Sequence, residues 1–83
     1  MVKVKEAYRV AEKMSEAKYL KQIFTFDTAF GFIFSPSKTT IGIGGACILV
    51  SKEDVNITAI LPIVFENLEF LNSGIELPLT SIL

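Results

Sequence analysis

Phe24-Thr25-Phe26-Asp27-Thr28-Ala29-Phe30-Gly31-Phe32-Ile33-Phe34 holds five of the seven phenylalanines of the chain, all at even positions. A repeat of two is the side-chain alternation of a β-strand. On that reading Phe24, Phe26, Phe30, Phe32 and Phe34 share one face, and Thr25, Asp27, Ala29, Gly31 and Ile33 share the other. Burying one phenylalanine contributes roughly 1.5–3 kcal/mol, so this face outweighs any other element. The stretch reads as the central strand of a sheet, bent or bulged near Thr28 to Gly31, with the remaining segments as its cover.

Upstream, Lys3 to about Leu20 reads as an amphipathic helix. Val4, Ala7, Tyr8, Ala11, Met14 and Ala17 recur at helical spacing, with Lys5, Arg9, Glu12, Lys13 and Glu16 on the other side. Small residues at Ala7, Ala11 and Ala17 would let this helix lie close against the sheet. It is too short to be stable alone, so it forms by packing on the phenylalanine face.

Downstream, Ser35-Pro36-Ser37-Lys38 ends the strand with turn chemistry. Thr39 to Gly45 is a loop containing Gly42, Gly44 and Gly45. It leads into a strand, whereas a phosphate-binding glycine loop opens a helix. Ala46 to Val50 reads as an internal strand, apolar on both faces. Lys52-Glu53-Asp54 is a charged turn. Val55 to Leu61 is a third strand, with Val55, Ile57, Ala59 and Leu61 on one face, and it pairs with Ala46–Val50 as an antiparallel hairpin. Pro62 stops it. Ile63 to Leu71 reads as a short helix or turn, with Phe65, Leu68 and either Leu71 or Phe70 inward. Asn72-Ser73-Gly74 reads as a helix C-cap and turn. Ile75-Glu76-Leu77 is a short last strand at an edge, and Leu79 to Leu83 either docks on the core or forms an apolar tail.

The 83 residues make one domain, residues 1–83. The expected fold is α+β: one N-terminal helix on an antiparallel sheet of three to four strands. Net charge is −1 overall, yet residues 1–22 carry six cations against three acids and residues 23–83 two against six. One arginine and no basic–aromatic interleaving argue against nucleic acid. The charged N-terminal segment has no signal-peptide core, and the longest uncharged run, Thr39 to Ser51, is too short and glycine-rich to cross a membrane. A single cysteine, Cys47, permits no intrachain disulfide, which fits a reducing cytoplasm.

Histidine is absent. That removes the commonest general base near neutral pH and the commonest transition-metal ligand. One cysteine cannot build a thiolate metal cage, and Ser–His and Cys–His nucleophiles are excluded. No catalytic, cofactor or metal site is expected, and no cofactor. Cys47 reads as a buried small hydrophobe, and Asp27 as a bulge or turn residue. For partner contact the candidates are Asp27, Phe30 and Phe32 on the aromatic strand and Glu53 and Asp54 at the hairpin tip. So apolar a chain should also cover an open edge. A homodimer or a permanent partner over Ile41 to Val50 or Ile75 to Leu83 is expected.

One helix followed by antiparallel strands resembles the cystatin-like α+β architecture of small bacterial proteins, including immunity-type proteins of polymorphic toxin systems. The likeness runs through Ala7-Tyr8-Arg9-Val10-Ala11, Asp27 to Phe34 and Val50-Ser51-Lys52-Glu53-Asp54. It is a pattern over most of the chain. The resemblance implies a curved sheet wrapped on a helix and the binding of a partner protein, with no catalytic residues. The expected function is therefore non-enzymatic, cytoplasmic protein binding. The alternatives are a carrier of small hydrophobic ligands on the aromatic strand and a homodimeric structural protein.

Overall fold

The computed structural model describes residues 1–16, 19–35 and 46–83. Ala17 of the expected helix face, Pro36 to Lys38 of the expected turn and the glycine loop lie outside them. The fold is α+β. Helix α1 (Val4–Met14) precedes strands β1 (Tyr19–Thr25), β2 (Ala29–Ser35), β3 (Ala46–Ser51) and β4 (Thr58–Pro62). A 3-10 turn (Phe65–Asn67), helix α2 (Leu68–Asn72), strand β5 (Ile75–Leu77) and a last 3-10 turn (Leu79–Ile82) follow. All five strands join one antiparallel sheet in the order β4-β3-β2-β1-β5.

The sheet has five strands, against the three to four expected, because the phenylalanine stretch folds back on itself. It is two strands, β1 and β2, joined by a tight turn in which Phe26 N–H donates to the Ala29 carbonyl at 2.8 Å. The register sets Ile23 opposite Phe32, Phe24 opposite Gly31 and Thr25 opposite Phe30. Opposed residues point to the same face, so odd positions of β1 share a face with even positions of β2. The five phenylalanines therefore do not share a face. Phe30, Phe32 and Phe34 point towards α1, and Phe24 and Phe26 belong to the opposite side. A bulge between Leu20 and Gln22 adds one residue, Lys21. It lets both Leu20 and Ile23 join the helix-side cluster, although they stand an odd number of positions apart.

Helix α1 ends at Met14, short of Leu20. Ser15 is extended at φ −86°, ψ 134°, and its N–H still donates to the Ala11 carbonyl. Leu20 is needed in β1, where it pairs with Phe34. The Lys3 N–H donates to the Glu6 carboxylate at 3.4 Å, and Glu6 in the first turn and Lys13 in the last complement the helix dipole. Ala7 and Ala11 are fully buried against Ile23, Phe32, Phe34, Ile48 and Val50. Their small side chains bring the helix axis close to the sheet. Tyr8 lies 6.0 Å from the Phe32 ring and 6.2 Å from that of Phe34. The last 3-10 turn docks on α1 and β1, with Ile82 packed on this core. Of the C-terminal apolar residues Ile82 is thus docked, whereas Leu79 and Leu83 remain exposed.

The opposite face has a second, smaller cluster of Phe26, Cys47 and Leu71. Phe26 turns back from the hairpin over β2, and its ring stacks on Phe70 at 4.6 Å and 13°. A Cβ on Gly31 would lie 2.8 Å from both the Phe26 ring and Cys47 Sγ, and one on Gly74 2.5 Å from the same ring. Both glycines are vacancies that the Phe26 ring fills. Ser73 caps α2 in helical geometry, so the role of Gly74 is room for that ring.

Strand β4 starts at Thr58, later than expected. Val55 packs on the helix-side cluster and Ile57 is exposed, whereas Leu61 belongs to the second cluster. The expected single face of Val55, Ile57, Ala59 and Leu61 is thus broken by the turn. Of the residues expected inward after Pro62, Leu71 is buried, Phe65 is 89 % exposed, and Leu68 and Phe70 are exposed at their outer sides.

Gly31→Ala is expected to lower stability by about 1–3 kcal/mol, the usual cost of overpacking, and Phe32→Ala by about 3–5 kcal/mol. Urea unfolding followed by circular dichroism reads both.

Candidate interaction surface

Among the described residues, no three of the Cys, Asp and Glu side chains gather to hold a metal ion, and no buried side-chain nitrogen or oxygen lacks a partner. No helix among them is long and apolar enough to cross a membrane. Cys47 is fully buried in mid-strand, and burial pushes its thiol up to about 11, against a smaller opposing effect of a backbone hydrogen bond from Phe32. A thiol so protonated is a poor nucleophile. Tyr8 donates its hydroxyl to Glu12 at 2.8 Å, and desolvation, with the neighbouring Glu12 carboxylate, raises its pKa.

The residues proposed from sequence for partner contact gather at one end of the sheet, with one exception. The Thr28 carbonyl accepts the Lys52 N–H at 2.9 Å, and the Lys52 carbonyl accepts the Val2 N–H at 2.8 Å. These bonds hold the β1–β2 turn, with exposed Asp27, beside the β3–β4 turn, with exposed Glu53 and Asp54. Lys52 Nζ sits 5.1 Å from the centre of the half-buried Phe30 ring. Phe32 is the exception: it is fully buried under α1 and offers no surface to a partner. Ser51 Oγ accepts the Glu53 N–H and Asp54 Oδ1 accepts the Asn56 N–H, which gives the tip two local turns.

Among the described residues the two sheet edges are β4 and β5. Ala46–Val50, one stretch considered for coverage by a partner, is flanked by β2 and β4 and has no free edge. The rest of that stretch, residues 41–45, lies outside the described residues. Ile75 of β5, in the other stretch, is 69 % exposed.

Strand β4 is the longer edge. The Ser51 N–H donates to the Ile57 carbonyl at 2.9 Å. Antiparallel ladders alternate, so Ala59 and Leu61 direct their peptide groups to β3, and Thr58 and Ile60 direct theirs outward. The next outward carbonyl, that of Pro62, already accepts the Asn67 side-chain amide at 2.8 Å. That bond ties the 3-10 turn to the end of β4. Beyond it lies a shallow groove of about 680 Å³ lined by Phe65, Glu66, Leu68, Glu69, Asn72 and Ser73. Large apolar side chains are exposed along this whole segment: Ile57, Ile60, Val64, Phe65, Leu68 and Phe70.

Charge follows the same segment. From Glu53 onward the chain has five carboxylates and no lysine or arginine. No charge occurs from Val55 to Phe65, and that neutral run is bracketed by Glu53–Asp54 before it and Glu66 and Glu69 after it. Of this surface only Glu53 and Asp54 were legible as contact residues. Phe65 and Leu68 read from sequence as inward and Ile57 as sharing a strand face with Val55, Ala59 and Leu61, and the uncharged run ending in acids is the signal that could have marked them as surface.

No family model, curated protein or solved structure matches the chain.

The Cys47 thiol should react with a disulfide reagent only as fast as the protein unfolds. Its raised pKa also has a fixed sign. The unfolded thiol loses its proton from about pH 9 and the folded one near 11, so the unfolded state gains between them. Stability should be complete well below pH 9 and fall by about 2 kcal/mol by pH 11 through this group, and Cys47→Ala should remove that part of the loss. Urea midpoints across this pH range check it.

Proposed function

We propose that this chain is a protein-binding domain with no catalytic chemistry of its own, working in the cytoplasm where its single thiol stays reduced. One observation carries the reading: six large apolar side chains lie exposed between Ile57 and Phe70, on and just after an edge strand. Isolated exposed apolar residues are ordinary, but a run of them along one segment marks a surface that another molecule covers. Such a surface, rimmed by carboxylates, suits a protein partner. The immunity-type form of this reading, in which the partner is a toxin, draws on the resemblance carried by Ala7–Ala11, Asp27–Phe34 and Val50–Asp54. A small-ligand carrier would need room along the aromatic strand, whereas Phe32 and Phe34 are packed against α1.

Phe65→Ser with Leu68→Ser should change stability by less than about 0.5 kcal/mol per site, as expected of exposed positions, and should abolish capture of a stoichiometric partner from native lysate. A doubly substituted protein that captures the same partner equally well would remove this surface from the interaction. For the immunity-type form, co-expression with the product of a neighbouring gene should relieve that product's toxicity. Growth unchanged by co-expression would count against it.

A further inference from the structure

We propose that the outer edge of β4 is a strand-addition site for an extended basic segment of a partner protein, which pairs with the Thr58 and Ile60 peptide groups while its terminal cations meet the carboxylates at the two ends of the strand. The proposal rests on the protein-binding reading and names the chemistry of the partner.

An edge strand offers unpaired N–H and C=O groups to any extended chain that reaches it. Natural edges are blunted by a charge or a proline within the strand, or by a covering element. Within Thr58–Pro62 there is no charge, and Pro62 stands only at the far end. Among the described residues, the outward groups of Thr58 and Ile60 have no partner, whereas the Pro62 carbonyl is occupied by Asn67. The open edge thus covers one short pairing register. The Ile60 side chain, 59 % exposed, and Ile57, 61 % exposed, supply apolar contact beside it.

Charge decides the occupant. A second copy, pairing β4 with β4 about a twofold axis, would run the strands antiparallel. That brings Glu53 and Asp54 of one copy towards Glu66 and Glu69 of the other, like against like. The exposed basic residues of α1 are Lys5, Arg9 and Lys13, but they sit on a helix and cannot pair with a strand. An extended segment with an uncharged core and Lys or Arg at both ends meets opposite charge at each end. Five strand residues span roughly 13–17 Å, so about five residues of partner separate the two basic ends.

The probe is the synthetic peptide Lys-Lys-Thr-Val-Thr-Val-Thr-Lys-Lys, added to the intact protein. Its comparison peptides are a version with N-methylated core amides and one with Glu in place of every Lys. The parent peptide should bind and slow hydrogen exchange at the Thr58 and Ile60 amides, and the other two should do neither. Glu66→Lys with Glu69→Lys should weaken binding by about tenfold, as for two rim charges reversed. Thr58→Pro removes an outward N–H without removing a ladder bond, so it should abolish binding while leaving the far-ultraviolet spectrum unchanged. Exchange in the wild-type protein tests the same point if that variant does not fold.

Equal binding of the N-methylated peptide, or unchanged exchange at Thr58 and Ile60, would overturn the site and reduce the interaction to charge alone. A wild type that is dimeric where Thr58→Pro is monomeric would put a second copy on the edge and overturn the basic segment as its occupant. A native partner retained by both Thr58→Pro and the doubly charge-reversed protein would overturn strand addition and leave protein binding standing. Wild-type protein that captures no partner would remove the protein-binding reading and this site with it.

Discussion

The register of the β1–β2 hairpin is the constraint on which the rest of the molecule depends. Phe26 starts the turn, its N–H donates to the Ala29 carbonyl, and its ring folds over β2 into the space that Gly31 leaves. A slip of one residue would send every side chain of a strand to the other face. Here it would turn Ile23 away from the helix if β1 moved, or Phe32 and Phe34 away and Gly31 towards it if β2 moved. The ring of Phe26 opposes that slip, because Gly31, Gly74, Cys47, Leu71 and Phe70 all meet it. Its stack with Phe70 adds about 0.5–1.5 kcal/mol beyond burial. One aromatic ring thus couples the hairpin register to the position of α2.

That coupling fixes how unequally the two faces are covered. The helix side receives the eleven residues of α1 and the C-terminal 3-10 turn, and its central residues are closed to solvent. Among the described residues, the other side receives the five residues of α2, Ile63 and the Phe26 ring. A chain of this size has too little volume to close both faces of a five-stranded sheet. The deficit falls at the β4 edge and the segment after it, where Ile57, Ile60, Val64 and Phe65 stay exposed.

Local patterns in the sequence were informative where one element decides the outcome. The helix and its contact through Ala7 and Ala11, the β3–β4 hairpin, the last edge strand and the burial of Cys47 all follow from spacing and turn chemistry. The division of the phenylalanines between two faces does not, since it depends on which residues pair. Thr25 opposite Phe30 inverts parity across the turn, and Lys21 inverts it again within β1. Both are properties of pairing, and period-two counting along one chain cannot see them. Phe65 and Leu68 misled for a related reason. Their spacing is that of an inward helical face, but the Asn67 bond to Pro62 turns the 3-10 segment so that Leu71, one turn later, is the residue that reaches the core.

An uncharged edge of this kind is a hazard to the protein that carries it, since it can template aggregation. The carboxylates lie beyond both ends of β4, where they leave its hydrogen-bonding groups open. From those positions they repel further copies of the same acidic segment, because symmetric pairing sets acids against acids. They leave approach by a segment of opposite charge unhindered. If a basic strand adds to this edge as proposed, one arrangement both opposes self-association and favours that class of partner. On that proposal, specificity would come as much from excluding the wrong strand as from binding the right one.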